Sequence, residues 1–166
     1  ARLGFVYEGL RALRAGLRQL GSDLVVRSGD PVQVLADLLQ ETGADAIYAE
    51  ADFSPYAQRR DRKAAGVLPL HLTPGLTVHA PDAVVKADGS PYTVFTPFSK
   101  AWLALSWAGS PLPAPVRIPT PSGIESEDIP ELQSCDAIFP AGEGEAQRRL
   151  AVFTETLISN YDESRN

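Results

Sequence analysis

The sequence predicts an α/β fold built around parallel strands. Three observations carry the prediction. Helical and strand periodicities alternate along the first hundred residues, with short connections between them. Short apolar runs, rather than alternating ones, mark the strands, as expected where both sheet faces are covered. Beyond residue 110 that alternation stops and a proline-rich stretch begins.

The elements follow in order. Leu10, Leu13, Leu17 and Leu20 recur at spacings of three, four and three and line one face of a first helix, with Gly21 as its stop. Arg11, Arg14 and Arg18 fall on its other faces. Leu24-Val25-Val26 reads as a short buried strand. Asp30 is placed to cap the next helix and Pro31 suits its first turn. Val34, Leu35, Leu38 and Leu39 form that helix's apolar stripe, and Gly43 ends it. Ala46-Ile47-Tyr48-Ala49 is the next strand. Strand, helix and strand form a βαβ unit with parallel pairing. Ligands of doubly wound sheets sit beyond the carboxyl ends of the strands, here the segment from Glu50 to Tyr56.

Ser54-Pro55-Tyr56 opens a short helix carrying Arg59, Arg60, Asp61, Arg62 and Lys63. Leu68 to Leu72 forms a short strand, with Pro69 placing it at an edge or a start. Val84-Val85-Lys86 and Tyr92-Thr93-Val94 flank a turn at Ala87 to Pro91. Thr96-Pro97 starts a helix from about Pro97 to Ala108, with Phe98, Ala101, Trp102 and Leu105 on one side. Residues 110–140 hold seven of the chain's 14 prolines and read as an extended linker. From Gly142 a final helix places Ala146, Leu150, Phe153, Leu157 and Tyr161 in one row.

Composition narrows the function. The 166 residues carry a net charge of -6, which excludes a chain-wide cationic surface for nucleic acid. The charge is uneven: residues 1–109 hold 11 basic and 11 acidic side chains, and residues 110–166 hold 4 and 10. Cys135 is the single cysteine, so neither an internal disulfide nor a cysteine zinc site is expected. No apolar run approaches the roughly 20 residues that cross a bilayer. Neither GxGxxG nor GxxxxGK[ST] occurs, so no nucleotide loop of those kinds is present. The sequence has no methionine, and we read it as an internal piece of a longer protein or a processed product.

Candidate chemistry is sparse on residue types alone. Glu50 and Asp52 are ligand candidates by their place at the strand's carboxyl edge, with loop solvation and capping as the alternative. The Arg59-to-Lys63 run suits phosphate contact or a solvated face of local ion pairs. His71 and His79, eight residues apart, lack the further ligands of a metal site. Phe95 to Trp102 is aromatic-rich and reads as core or interdomain packing. Tyr161 reads as helix-end packing, with a hydroxyl free to meet a ligand phosphate.

Four segments, in order, resemble the DNA photolyase/cryptochrome family. They are Val25 to Pro31; Tyr48 to Asp61, ending DFSPYAQRRD; Ser90-Pro91-Tyr92-Thr93-Val94-Phe95-Thr96-Pro97-Phe98 followed by Trp102; and Gly142-Glu143 leading to Tyr161-Asp162-Glu163-Ser164-Arg165-Asn166. The resemblance implies a Rossmann-like antenna domain at 1–109, lacking its first strands, a linker at 110–140, and at 141–166 the opening helix of an all-α FAD-binding domain. The implied activity is that of a deoxyribodipyrimidine photolyase, a lyase repairing cyclobutane pyrimidine dimers with light and reduced FAD. A cryptochrome, a blue-light receptor without repair, is the alternative. Tyr161 matches a tyrosine that contacts FAD, and Asp52 a position against the antenna chromophore. Ala57 stands where folate-binding members have glutamate, which argues against folate and leaves a deazaflavin, a flavin mononucleotide or an empty pocket. The implied partner is UV-damaged DNA, bound through a part outside this chain, by a cytoplasmic monomer with no membrane association. No catalytic residue is implied within the chain.

Leu150, Phe153 and Leu157 are left without a covering domain by this reading. Residues 1–166 expressed alone are expected to aggregate rather than melt cooperatively. Light scattering and calorimetry check this, and a cooperative monomeric transition contradicts it.

Overall fold

The computed structural model describes residues 2–80, 82–106, 112–131 and 140–161. Five α-helices and two strands occur among them: α1 Arg2–Gln19, α2 Pro31–Thr42, β1 Ile47–Glu50, α3 Pro55–Ala65, β2 Leu70–Thr73, α4 Phe95–Leu103 and α5 Glu143–Val152. They fall in two compact units, residues 29–114 and residues 1–28 with 115–166.

The first of these units contains the parallel pair. β1 and β2 run side by side with Ile47 opposite Leu70 and Glu50 opposite Thr73. The β1–α3–β2 segment is therefore a βαβ unit, and the α/β fold is present. Ladder bonds continue past both ends, from Ile47 N to Pro69 O and from Ala51 N to Thr73 O. Pro69 thus precedes the strand and contributes only its carbonyl, the one ladder group it has. α3 lays Ala57, Asp61 and Ala64 inward. Ala57 and Ala64 are 2% and 4% exposed, and with Val84 and Ile129 they make up the buried apolar set among the described residues.

Local signals explain the helix ends. Asp30 accepts hydrogen bonds from Val32 N and Gln33 N and caps α2 ahead of Pro31. Gly43 ends α2 in the left-handed region at φ 65°, where a Cβ is penalised. Asp30 also takes Lys63 Nζ at 3.1 Å, tying the start of α2 to α3. Ser54 caps α3 by accepting from Ala57 N. The turn at 87–91 closes as expected: Val85 bridges Pro91, Lys86 N donates to Ser90 O, and Asp88 holds Ser90.

Two expectations are corrected. Leu24-Val25-Val26 is extended but belongs to no sheet; its backbone bonds to the proline-rich segment instead. Ile118 N donates to Leu20 O, Glu127 N to Val26 O, and Ser28 N to Glu127 Oε1. The expected strand–helix–strand unit is therefore not built on 24–26, and the parallel partner of β1 is β2, across α3. Apolar runs mark extended chain but do not name the ladder partner. The second correction concerns α4, which starts at Phe95 with Val94 as an uncapped N-cap. Thr96 lies inside its first turn. Pro97 is tolerated there because N–H groups of the first turn have no intrahelical acceptor. α4 ends at Leu103, short of the expected Ala108, which lies outside the described residues.

The other unit pairs α1 with α5. Gly142 approaches Ala12 so closely that a Cβ at 142 would lie 3.1 Å from the alanine methyl. The final row of apolar residues does not stay on one regular helix: after α5 the chain runs through a π turn, Phe153–Leu157, and a 3-10 turn, Ile158–Asn160. Leu150 and Leu157 are exposed. Near the end of α1, Asp23 receives Arg14 Nε at 2.8 Å and Arg18 Nη2 at 3.0 Å. The two guanidiniums hold its carboxyl well below its ordinary value of 3.8. On α5, Arg148 and Arg149 push Glu145 down to about 2.

A carboxylate with a depressed folded pKa adds stability above its ordinary value and loses it as pH falls. The difference in melting temperature between the wild type and Asp23→Asn is therefore expected to shrink as pH is lowered from 5 towards 2. Thermal melts of the full-length protein at stepped pH measure it.

Candidate functional site

The residues with ligand chemistry gather beyond the carboxyl end of β1 and along α3 where it meets β2. A pocket of about 260 Å³ lies there, lined by Asp52, Gln58, Asp61, Arg62, Ala65 and Leu72. Helical spacing places Gln58, Asp61, Arg62 and Ala65 on neighbouring rows of α3. β2 supplies Leu72 from the sheet face it shares with Ile47, Ala49 and Leu70. The wall is mostly apolar, with two carboxylates, an amide and a guanidinium at its polar end.

Asp52 is exposed, and its Oδ1 accepts from Ser54 N at 2.7 Å. That bond, followed by Arg60 at longer range, lowers its pKa. One of its oxygens thus fixes the loop that starts α3 while the side chain borders the pocket. Asp61 is different: it is 6% exposed, the one buried charged residue among those described. Its Oδ1 takes Arg60 Nε at 2.7 Å.

The remaining sequence candidates separate. Glu50 folds against Gly75, its carboxylate occupying the space that a Cβ there would need. In the basic run, Arg60 pairs with Asp61, Lys63 with Asp30, and Arg62 Nε bonds the Gln58 carbonyl at 3.0 Å. Local partners account for these three. His71 stacks on Tyr48 at 5.2 Å between ring centroids. His79 meets the edge of Trp102 at 5.0 Å. In the aromatic segment Phe98 touches Tyr92 edge-on at 6.4 Å, whereas Phe95 is 77% exposed. Tyr161 lies in the unit that does not hold the pocket, about half exposed, with its ring edge-on to Phe153 at 6.0 Å. Cys135 and Asp162 to Asn166 lie outside the described residues.

Sequence reasoning missed Asp61, Gln58 and Arg62 as a group. A signal was present: Ala57, Asp61 and Ala64, four and three residues apart, are one helical row, and a carboxylate between two buried alanines is conspicuous.

This geometry, a βαβ unit with a pocket beside its helix, defines an α/β fold. The chain belongs to the DNA photolyase family, whose model, described as "DNA photolyase", matches residues 1–117. Among curated relatives, a deoxyribodipyrimidine photo-lyase of Synechococcus sp. is 32% identical over all of this chain and 38% of its own length. A cryptochrome DASH of Natronomonas pharaonis is 33% identical over 99% of this chain and 39% of its own. The crystal structure of a class III photolyase from Agrobacterium tumefaciens superposes with a TM-score of 0.88, at 26% identity, over 98% of this chain and 37% of that one. The chain thus spans less than two fifths of these three relatives. No helix among the described residues is long and apolar enough to cross a membrane.

Ala57 faces inward at 2% exposure, so a glutamate there would be overpacked and buried. Ala57→Glu is expected to cost about 1–3 kcal/mol of stability. The urea midpoint of the full-length protein measures it.

Proposed function

We propose that this chain is part of a deoxyribodipyrimidine photolyase that repairs cyclobutane pyrimidine dimers in DNA with light. The observation that carries the reading is similarity along the whole chain to proteins named for that activity, at 32% and 33% identity for two of them. In this reading residues 1–109 form the antenna domain, 110–140 the interdomain linker, and 141–166 the start of a helical FAD-binding domain.

Reduced FAD, when bound, supplies light-driven electron donation to the dimer; the protein positions it. The Tyr161 hydroxyl, on an exposed ring, would donate a hydrogen bond to FAD when it is bound. The rest of the FAD site and the surface for UV-damaged DNA belong to sequence outside these 166 residues. The net charge of -6 agrees with that division. Asp52 and the α3 pocket hold an antenna chromophore. The pocket suits a flat ring system: its wall is apolar at Ala65 and Leu72, and its polar end carries both donors and acceptors. Ala57 in place of glutamate favours a deazaflavin or flavin mononucleotide there over folate. The full-length protein is taken to be a cytoplasmic monomer.

The second reading is a cryptochrome, a blue-light receptor without repair. The 33% identity to a cryptochrome DASH favours it. One experiment separates the two. The full-length protein is purified, its absorption spectrum recorded, and an oligonucleotide carrying a thymine dimer is exposed to it under blue light. Flavin absorbance with light-dependent repair is the expected result. Flavin without repair moves the assignment to a cryptochrome, and a protein that binds no flavin overturns both.

A further inference from the structure

We propose that Arg11 is the clasp of the proline-rich segment: it holds residues 118–130 down as a fixed strap on α1, and so seats α5 against the same helix. The segment poses a donor problem. Between residues 112 and 131 it contains Pro113, Pro115, Pro119, Pro121 and Pro130, none of which carries an N–H. Such a stretch builds no ladder of its own and ordinarily serves as a spacer between parts that move independently. Here it is held. It runs in step with residues 20–28: Ile118 N donates to Leu20 O, Ser22 Oγ meets Thr120 Oγ1, Val26 N donates to Ser126 Oγ, and Glu127 takes Ser28 N and Ser28 Oγ.

At its far end the support changes to a single side chain. Ile129 is 8% exposed, the one buried residue of 112–131. Its carbonyl and that of Pro130 are both reached by Arg11 Nη2. Carbonyls drawn towards the interior need a donor, and an arginine gives them a charged one. Arg14 and Arg18, further along α1, donate to Asp23 instead. Charge supports the fit: Asp128 and Glu131 border the same cleft as the three arginines. The chain then returns to the same place. Gly142, at φ 104°, would put a Cβ 3.1 Å from the Ala12 methyl. Residues 129–130 and residue 142 are thus seated on consecutive residues of α1, Arg11 and Ala12. α5 begins at Glu143, so both seats set its start. Tyr161 follows on the same stretch, its ring edge-on to Phe153. One consequence rests on the proposed FAD reading: the clasp fixes where the Tyr161 hydroxyl meets the cofactor, which makes Arg11 a positioning residue. The clasp itself does not depend on that reading.

Full-length wild type, Arg11→Met and Arg11→Lys are compared by hydrogen–deuterium exchange. The Ile118 and Glu127 amides report the strap, and the Ile47 and Ala51 amides, bonded to Pro69 O and Thr73 O, report folding of the other unit. Release of FAD is followed in parallel by flavin fluorescence. The expected result is strap exchange about tenfold faster in Arg11→Met, through loss of a charge-assisted bond that restrains local opening, with the Ile47 and Ala51 amides unchanged. FAD leaves that variant several-fold faster. Arg11→Lys keeps a charged donor without the fork and falls between. Wild-type strap amides that exchange as fast as an unstructured peptide overturn the strap, whether or not a variant folds. Unchanged strap exchange in Arg11→Met overturns the clasp. Faster strap exchange with unchanged FAD release supports the clasp and overturns the positioning role. A wild-type protein without flavin overturns the photolyase reading and the positioning role together, while strap exchange still decides the clasp.

Discussion

Close approach of α3 to the β1–β2 pair is the constraint on which the α/β unit depends. Two strands cannot form a stable sheet on their own; they need a helix across one face. The helix can come near only because its inward row is small at Ala57 and Ala64. The same row carries Asp61, so a charge is buried where packing is tightest. Its pairing with Arg60 and its position at the pocket follow from that one placement. The capping bonds of Ser54 and the Asp52 turn set where α3 begins, and thus which side chains reach the pocket.

The proline-rich segment acts as more than a connector. Prolines remove donors and keep the chain extended, so its remaining polar groups must bond outside the segment. They find residues 20–28, where Leu20 O and Val26 O accept from Ile118 N and Glu127 N. The result is a run of side-chain and backbone bonds between distant parts of the sequence, with Ser126 Oγ, Glu127 and Thr120 Oγ1 among the contributors. The Asp23 carboxylate, gripped by Arg14 and Arg18, fixes the α1 end of that region.

One face of the β1–β2 pair is open among the described residues. Tyr48, stacked on His71, is 73% exposed there, although parallel sheets ordinarily have both faces covered. The row from Leu150 to Tyr161 is similarly exposed. Both surfaces accord with membership of a family whose cited relatives are more than twice as long as this chain.

Local punctuation was legible in the sequence because it depends on residues within a few positions of each other. Asp30-Pro31 and Gly43 bound α2, Ser54-Pro55 starts α3, and Asp88-Gly89-Ser90 closes the turn, each through bonds to near neighbours. The β1 strand and Asp52's place at its carboxyl edge were legible for the same reason. Ladder partners were not: Leu24 to Val26 has the composition of a strand, but hydrogen bonding to residues 118–127 is decided across some hundred positions. Thr96-Pro97 resembled a cap, yet the backbone upstream at Val94 set the start of α4. The pocket was likewise a tertiary product. Sequence alone placed Gln58, Asp61 and Arg62 on a charged helix; only the packing of that helix on β2 buried one carboxylate beside a cavity.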